Sequence, residues 1–290
     1  MTGIALLIVL TSGFLHAGWN LLLKKGDRKI VFIWWFQLVA LIIYFPMLLY
    51  YWGRAPIPPT GWQCILATGL IHGGYFWFMS SAYQRGDLSL VYPLARGSGP
   101  LFIPILAIVL LKEQISLLGG LGIFTIVIGI YCIHLRSFDR GGILEPFRDC
   151  CGEATRFAFF TGLTVASYSI VDKVGAKLVY PPVYIYLMFL IAWLTLTPLI
   201  LTREREWVLP EVRKHAAAIF IVGFFSVFTY LMILFAFTIS KVSYVAAVRE
   251  VSIILSAYFG VFYLGEQHGK QKLFGSLLIT LGVIAIGLSR

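Results

Sequence analysis

Val91-Tyr92-Pro93-Leu94-Ala95-Arg96-Gly97, followed by Leu110-Leu111-Lys112-Glu113-Gln114, has a second copy: Tyr244-Val245-Ala246-Ala247-Val248-Arg249-Glu250, followed by Tyr263-Leu264-Gly265-Glu266-Gln267. A shift of 153 lays Arg96 on Arg249, Glu113 on Glu266, Gln114 on Gln267, Gly122 on Gly275 and Gly129 on Gly282. The front of each copy matches at a shift of 149, with Gly13 on Gly162, Trp19 on Tyr168, Asn20 on Ser169, Lys24 on Lys173 and Gly26 on Gly175. The chain is an internal repeat, and the two shifts require a net four-residue insertion in the second copy. Five spanning helices per copy is an odd number, so the second copy enters the membrane in the opposite sense. Inverted repeats with charge near the bilayer midplane describe a secondary transporter.

Composition puts the chain in a bilayer. Hydrophobic residues make up 59% and charged residues 12%, with a mean hydropathy of +0.88, whereas soluble domains carry about 25% charged residues. The net charge of +10 sits in loops between apolar stretches, where membrane topology requires it, so nucleic acid is not a partner. Cys64, Cys132, Cys150 and Cys151 lack metal-ligand spacing and form no disulfide framework. The first apolar stretch follows Met1-Thr2-Gly3 without a basic n-region or a cleavage site, as expected of a retained helix.

Apolar runs of about 20 residues predict an all-α, polytopic membrane protein of ten transmembrane helices. They fall at 3–23, 30–51, 62–83, 89–111 and 116–135, then 156–178, 183–201, 215–238, 243–264 and 270–288. Residues 1–135 form the first repeat, 136–155 the inter-repeat loop and 156–290 the second repeat. Leaving out Arg96 and Arg249, 15 of the other Lys and Arg residues flank the loops after odd-numbered helices and six lie on the other side. This distribution places the odd loops in the cytoplasm and both termini outside.

The run from Ser80 to Gly97, with Leu110-Leu111-Lys112-Glu113 and the second copy Val242-Ser243-Tyr244-Val245-Ala246-Ala247 … Tyr263-Leu264-Gly265-Glu266, resembles the EamA domain of the drug/metabolite transporter superfamily. The resemblance covers essentially the whole chain. It implies ten helices in two inverted repeats around a cavity lined mainly by helices 1, 3, 4, 6, 8 and 9. Family members often have both termini in the cytoplasm, and the charge distribution here departs from that. His16-Ala17-Gly18-Trp19-Asn20, with the segment from Pro93 to Arg96, is similar to transporters associated with phosphonate utilisation.

Arg96 stands roughly 6 Å from its helix midpoint at 1.5 Å rise per residue, with Arg249 a similar distance away on the other side. Exposing either to lipid costs at least about 2.5–3.5 kcal/mol, so each should face the cavity or a carboxylate. The guanidinium fork suits phosphate, phosphonate or carboxylate oxygens. Fold relatives that exchange sugar phosphates use basic residues on helices 4 and 9 in this way. The alternative is that both arginines pair with Glu250 or Asp172 and tie helices together.

Glu250 is turned about 100° from Arg249 on a continuous helix, so the two should not point the same way. Glu250, His72 and His16 are coupling candidates, since a desolvated carboxylate or an imidazole can carry a proton. Asp172 and Lys173, nearer their helix end, read as interfacial gate or topology residues. Trp19, Asn20, Tyr92 and Tyr168 are further substrate-binding candidates, and Tyr75, Trp77, Tyr83 and Tyr230 can line the same cavity. Pro93, Pro100 and Pro104 can kink helix 4. Glu113 and Glu266 read as residues that help terminate helices 4 and 9.

The function expected is alternating-access transport of a small anionic or zwitterionic organic metabolite, such as a phosphonate or organophosphate. The partners are lipid, the solute and a coupling proton or counter-substrate, in a bacterial inner membrane. An exporter of amino acids or amphiphilic drugs with structural arginines is the alternative. A membrane enzyme or sensor ranks lower, because no catalytic triad, metal motif or Walker loop is present. No cofactor or metal is expected.

Overall fold

The computed structural model describes residues 1–23, 25–54, 56–85, 88–133, 135, 137, 139, 143, 152–254 and 269–289, with backbone alone at 83–84, 88–94 and 96–97. Ten α-helices are present among these residues: α1 (Gly3–Leu23), α2 (Lys29–Tyr51), α3 (Pro59–Arg85), α4 (Leu88–Leu111), α5 (Leu117–Ile133), α6 (Glu153–Leu178), α7 (Pro181–Arg203), α8 (Arg205–Ile239), α9 (Val242–Arg249) and α10 (Gly269–Leu288). Five of them are long and apolar enough to cross a membrane, and α5 and the stretch Ser98–Leu111 of α4 are shorter apolar helices.

The packing carries the repeat. α5 packs on α10 and α2 on α7, while α3–α6 is matched by α1–α8, α4–α6 by α1–α9, and α3–α7 by α2–α8. Exchanging each helix with the one five places along turns each of these pairs into its match, as a two-fold axis between the repeats requires. The α5–α10 seam fixes the sense of that axis. A Cβ on Gly122 would lie 2.8 Å from the Gly282 carbonyl, and one on Gly129 would lie 2.8 Å from the Gly275 carbonyl. The numbers rise along one helix as they fall along the other, so the two helices run antiparallel. Only glycine lets the backbones approach this closely.

Helix starts and stops follow local chemistry. Pro181 and Pro182 occupy the first turn of α7, where proline's fixed φ and missing N–H cost nothing. α8 differs from expectation by starting at Arg205 rather than 215, with non-helical geometry at His215 (φ −121°, ψ 20°). Its 35 residues would extend about 52 Å at 1.5 Å each, too long for a hydrocarbon core of about 30 Å. The bend at His215 sets the first turns apart, with Pro210 midway along them.

The Met1 ammonium donates to the Ser289 carbonyl at 2.9 Å, so both termini share one face, here called the terminal face, with residues 52–54, 56–58, 112–116, 179–180 and 240–241. Residues 25–28 and 204 lie on the distal face. α4 continues as one helix through Pro93, Pro100 and Pro104. α9 is interrupted instead. The Glu250 N–H bonds to Ala247 O at 3.2 Å and the Ile253 N–H to Glu250 O at 2.9 Å, both three residues back, before helix resumes at 251–254. Its expected continuation to 264 lies outside the described residues.

Candidate functional site

α1 and α6 present matching stripes. Ser12, His16, Trp19 and Leu23 recur at helical spacing along one side of α1 and line a central cavity of about 430 Å³. The opposite side, with Ile4, Leu7 and Phe14, is exposed to the lipid position. Shifted by 149, the α1 stripe becomes Thr161, Val165, Tyr168 and Asp172 of α6; the first three line the same cavity. α3 contributes His72, Tyr75, Phe76, Met79 and Ser80, and α8 contributes Ser226, Thr229, Tyr230 and Ile233. α2 and α7 also reach the wall through Phe36, Met188 and Phe189, beyond the six helices expected from the family resemblance.

Polar groups cross-link the wall. Ser12 Oγ donates to the Thr229 carbonyl at 2.8 Å, and Trp19 Nε1 donates to Thr229 Oγ1 at 3.2 Å. The Trp19 indole is therefore committed to α8, with His16 edge-on at 4.5 Å. His72 Nδ1 lies 2.9 Å from the Thr68 carbonyl. A carbonyl only accepts, so this nitrogen carries the hydrogen in the neutral ring. The imidazole stacks on Tyr168 at 4.1 Å and meets Tyr230 edge-on at 5.7 Å.

Arg249 and Glu250 both line this cavity. The expectation that consecutive residues must diverge assumed an unbroken helix, and the turn at Glu250 removes that premise. Gly13 makes the turn possible: a Cβ there would meet Val251 Cγ1 at 2.8 Å and the Arg249 carbonyl at 3.5 Å. Gly162, its repeat partner, lies equally close to α4 at Ala95 and Ser98. Asn20 lines the cavity as expected. The side chains of Arg96, Tyr92 and Tyr83 lie outside the described residues, as do Glu266 and Gln267. Trp77 does not belong to the wall: it is 44% exposed and packs against Phe78 and Phe157 on the outer surface.

Two other expectations are corrected. Asp172 is not interfacial but fully buried, accepting hydroxyl hydrogen bonds from Tyr184 at 2.8 Å and from Tyr230. Lys173 does not snorkel to water. It is buried and donates to the carbonyls of Phe237 and Ser240, capping the C-terminal end of α8. Both follow from α6 packing beneath α7 and α8, so its last turns meet protein rather than solvent. Glu113 serves two helices: its N–H bonds to the Ala107 carbonyl at 3.1 Å where α4 ends, and its side chain caps another. Its carboxylate accepts from the Val242 N–H at 2.8 Å, the Ser243 N–H at 3.3 Å and Ser243 Oγ at 2.7 Å, at the start of α9.

The cavity reaches the distal face at Asp27, Arg28 and Lys29. There Glu211 accepts the backbone N–H groups of Asp27 and Arg28, each at 3.1 Å. Asp27 takes Lys214 at 2.7 Å and His215 at 3.4 Å. The Lys214 hydrogen bond, more than His215, holds the Asp27 carboxyl below its ordinary range. Ligand atoms of Asp27, Glu211 and His215 lie within 4.8 Å of one another. Both Glu211 oxygens hold backbone N–H groups and Asp27 Oδ2 holds Lys214 and His215, so these contacts work as a clasp. No sequence spacing could reveal it, because 184 residues separate Asp27 from Glu211. The hydroxyls of Ser12, Thr161, Ser226 and Thr229 were also missed; for Ser12 and Thr161 the signal was their pairing at the 149 shift.

Against known proteins, the model of the EamA-like transporter family matches residues 3–135 and again 155–288. A solved crystal structure, described only as that of a protein, is similar with a TM-score of 0.76 at 15% identity, covering 99% of this chain and 98% of that one. At that identity it supports the fold alone. No protein with a curated description matches.

Proposed function

The chain belongs to the EamA-like transporter family, an integral multi-pass membrane protein, and on that premise we propose that it carries a small zwitterionic or anionic organic solute by alternating access. One observation supports this reading above the others: Arg249 and Glu250 line one cavity at the turn in α9. A guanidinium beside a carboxylate suits a solute bearing both an anionic group and an ammonium, the class of amino acids and aminophosphonates. Guanidinium binds carboxylate or phosphonate oxygens in pairs, while Asn20 and the hydroxyls of Thr161 and Ser226 supply uncharged hydrogen bonds. Arg96 stands at the repeat position equivalent to Arg249 and is proposed as the second anion contact, with Tyr92 and Tyr168 as further contacts. We place the carrier in a bacterial inner membrane, acting as a transporter rather than an enzyme.

The aromatic wall of Trp19, Phe36, Phe76 and Phe189 favours a second reading, export of amphiphilic compounds with Arg249 and Glu250 tied to each other. The two readings separate by mutation. Under the first, Arg249→Gln keeps folding and weakens binding of 2-aminoethylphosphonate or an amino acid by about 1.5–3 kcal/mol, the scale of a hydrogen bond to a charged group, and lysine rescues poorly. Under the second, Arg249→Gln lowers the melting temperature and Glu250→Gln partly restores it. Thermal shift against a metabolite panel reads both, since a ligand of the folded state raises apparent stability. Undiminished binding in a stable Arg96→Gln, Arg249→Gln double mutant would remove the site.

A further inference from the structure

We propose that Asp172 is the site of the coupling proton, and that its protonation releases the seal at the terminal face; this rests on the carrier reading above. Asp172 closes the α6 stripe one step beyond the cavity, fully buried. Its two oxygens tie three helices: Oδ1 takes the Tyr184 hydroxyl of α7, and Oδ2 the Tyr230 hydroxyl of α8. No ion pair among the described residues includes it, and the neighbouring Lys173 is spent on the end of α8. A buried carboxylate without a cationic partner is costly as an ion and is held only by its hydrogen bonds.

The groups facing Asp172 come from every helix around it. α3 brings Thr68, whose hydroxyl also hydrogen-bonds the carboxylate, with His72 and Cys64, α7 Tyr184 and α8 Tyr230. Arg249 of α9 acts on His72 and on Tyr230, the two groups that stand between it and Asp172. α4 runs parallel to α6 from their contact at Gly162, and reaches this level in the apolar stretch 103–111.

Charge decides the strength of the tie. Hydrogen bonds to an ionised acceptor are roughly twice as strong as neutral ones. When a proton from water bonds to one carboxylate oxygen, that oxygen becomes a donor, the tyrosine hydroxyl facing it rotates its hydrogen away to accept instead, and both ties become the weaker, neutral kind. Tyr230 also lines the cavity, so its rotation reports the proton to the solute site. Protonated Asp172 therefore favours an open terminal face, and return of the proton to water re-forms both ties.

Val179, buried at the terminal face, serves as the reporter. Val179→Cys in a background with Cys64, Cys132, Cys150 and Cys151 changed to serine is reconstituted in proteoliposomes and labelled with a maleimide reagent between pH 5.5 and 8.5, with rates corrected for the reagent's own pH dependence. The expected result is labelling several-fold faster at the acid end, and fast at every pH with Asp172→Asn. Tyr184→Phe and Tyr230→Phe, each lacking one tie, should raise labelling at pH 8.5, and they carry the test should Asp172→Asn not fold. A pH-independent rate in the parent protein, or a parent-like pH profile in all three variants, would overturn the proposal. Counterflow of 2-aminoethylphosphonate or amino acids by the unsubstituted protein tests the carrier reading separately. Its absence would sink that reading while the labelling profile still reported on Asp172.

Discussion

The distal and terminal ends of the bundle are built from equivalent segments and cross-linked by different chemistry. At the distal end the α1 stripe finishes at Leu23 and opens to a mouth clasped by Asp27, Lys214 and His215, groups in contact with water. At the terminal end the α6 stripe finishes at Asp172, and the seal consists of buried bonds to Tyr184, Tyr230, Phe237 and Ser240. Even the corner glycines differ: Gly26 fits against Phe32 and Glu211, whereas Gly175 lies under the ring of Tyr184, 2.3 Å from where a Cβ would stand. Exposed ion pairs contribute little, whereas hydrogen bonds to buried charge contribute more. The difference accounts for a structure that is open on the distal side and sealed on the terminal side, although both halves descend from one pattern.

An all-or-none test says which side of the cell the open end faces. The excess of basic residues in the distal loops predicts that a C-terminal phosphatase fusion is active and a C-terminal fluorescent protein dark. The reverse pair would turn the open mouth outward.

The symmetry behind the comparison is tested at the α5–α10 seam. Gly129→Ala and Gly275→Ala each push a methyl group against the facing backbone carbonyl, at 2.8 and 2.5 Å. Each should lower stability by about 1–3 kcal/mol, read by thermal melting in detergent. Gly18, with open space where its Cβ would be, is the matched control and should tolerate alanine. Equal melting temperatures for all three variants would dissolve the antiparallel glycine contact.

Smaller effects separate the two ends. Glu113→Ala removes the cap of α9 on the terminal face and should cost about 0.5–2 kcal/mol, with Glu113→Gln milder because the amide oxygen still accepts. No loss of melting temperature in either variant would show that α9 starts without this cap. Asp27→Asn, at the exposed distal clasp, should have the smallest effect. Its folded carboxyl titrates below the ordinary value of about 3.9. The stability it adds is therefore present above that value and lost as pH falls through the depressed one. The melting difference between Asp27→Asn and the parent should stay flat from pH 5 to 8 and shrink below about pH 4. A difference that changes near neutrality would assign pH sensitivity to the distal clasp rather than to Asp172.

Much of this was legible in the chain. Arg96 and Arg249, the glycine pairs and the matched fronts established an inverted repeat because helix packing demands small residues and charge at fixed positions. Trp19, Asn20, His16, His72, Tyr168, Arg249 and Glu250 were chosen as polar or aromatic interruptions of apolar helices, and they meet on one cavity. Asp172 and Lys173 were misplaced at the interface because distance from a helix end measures depth only when that end reaches water. The start of α8 was missed because the polar turns before His215 read as a loop.

The sequence by itself determined membrane residence, helix number and the inverted pairing, since these depend on apolar length and on a period shared by the two copies. Tertiary structure alone decided that Arg249 and Glu250 line the same cavity and that Asp172 bonds two tyrosines from other helices. It also joined Asp27 to Glu211. Each of these depends on a local break or on contacts between segments far apart in the chain, where no periodicity carries the information and only the packed bundle brings the groups within hydrogen-bonding reach.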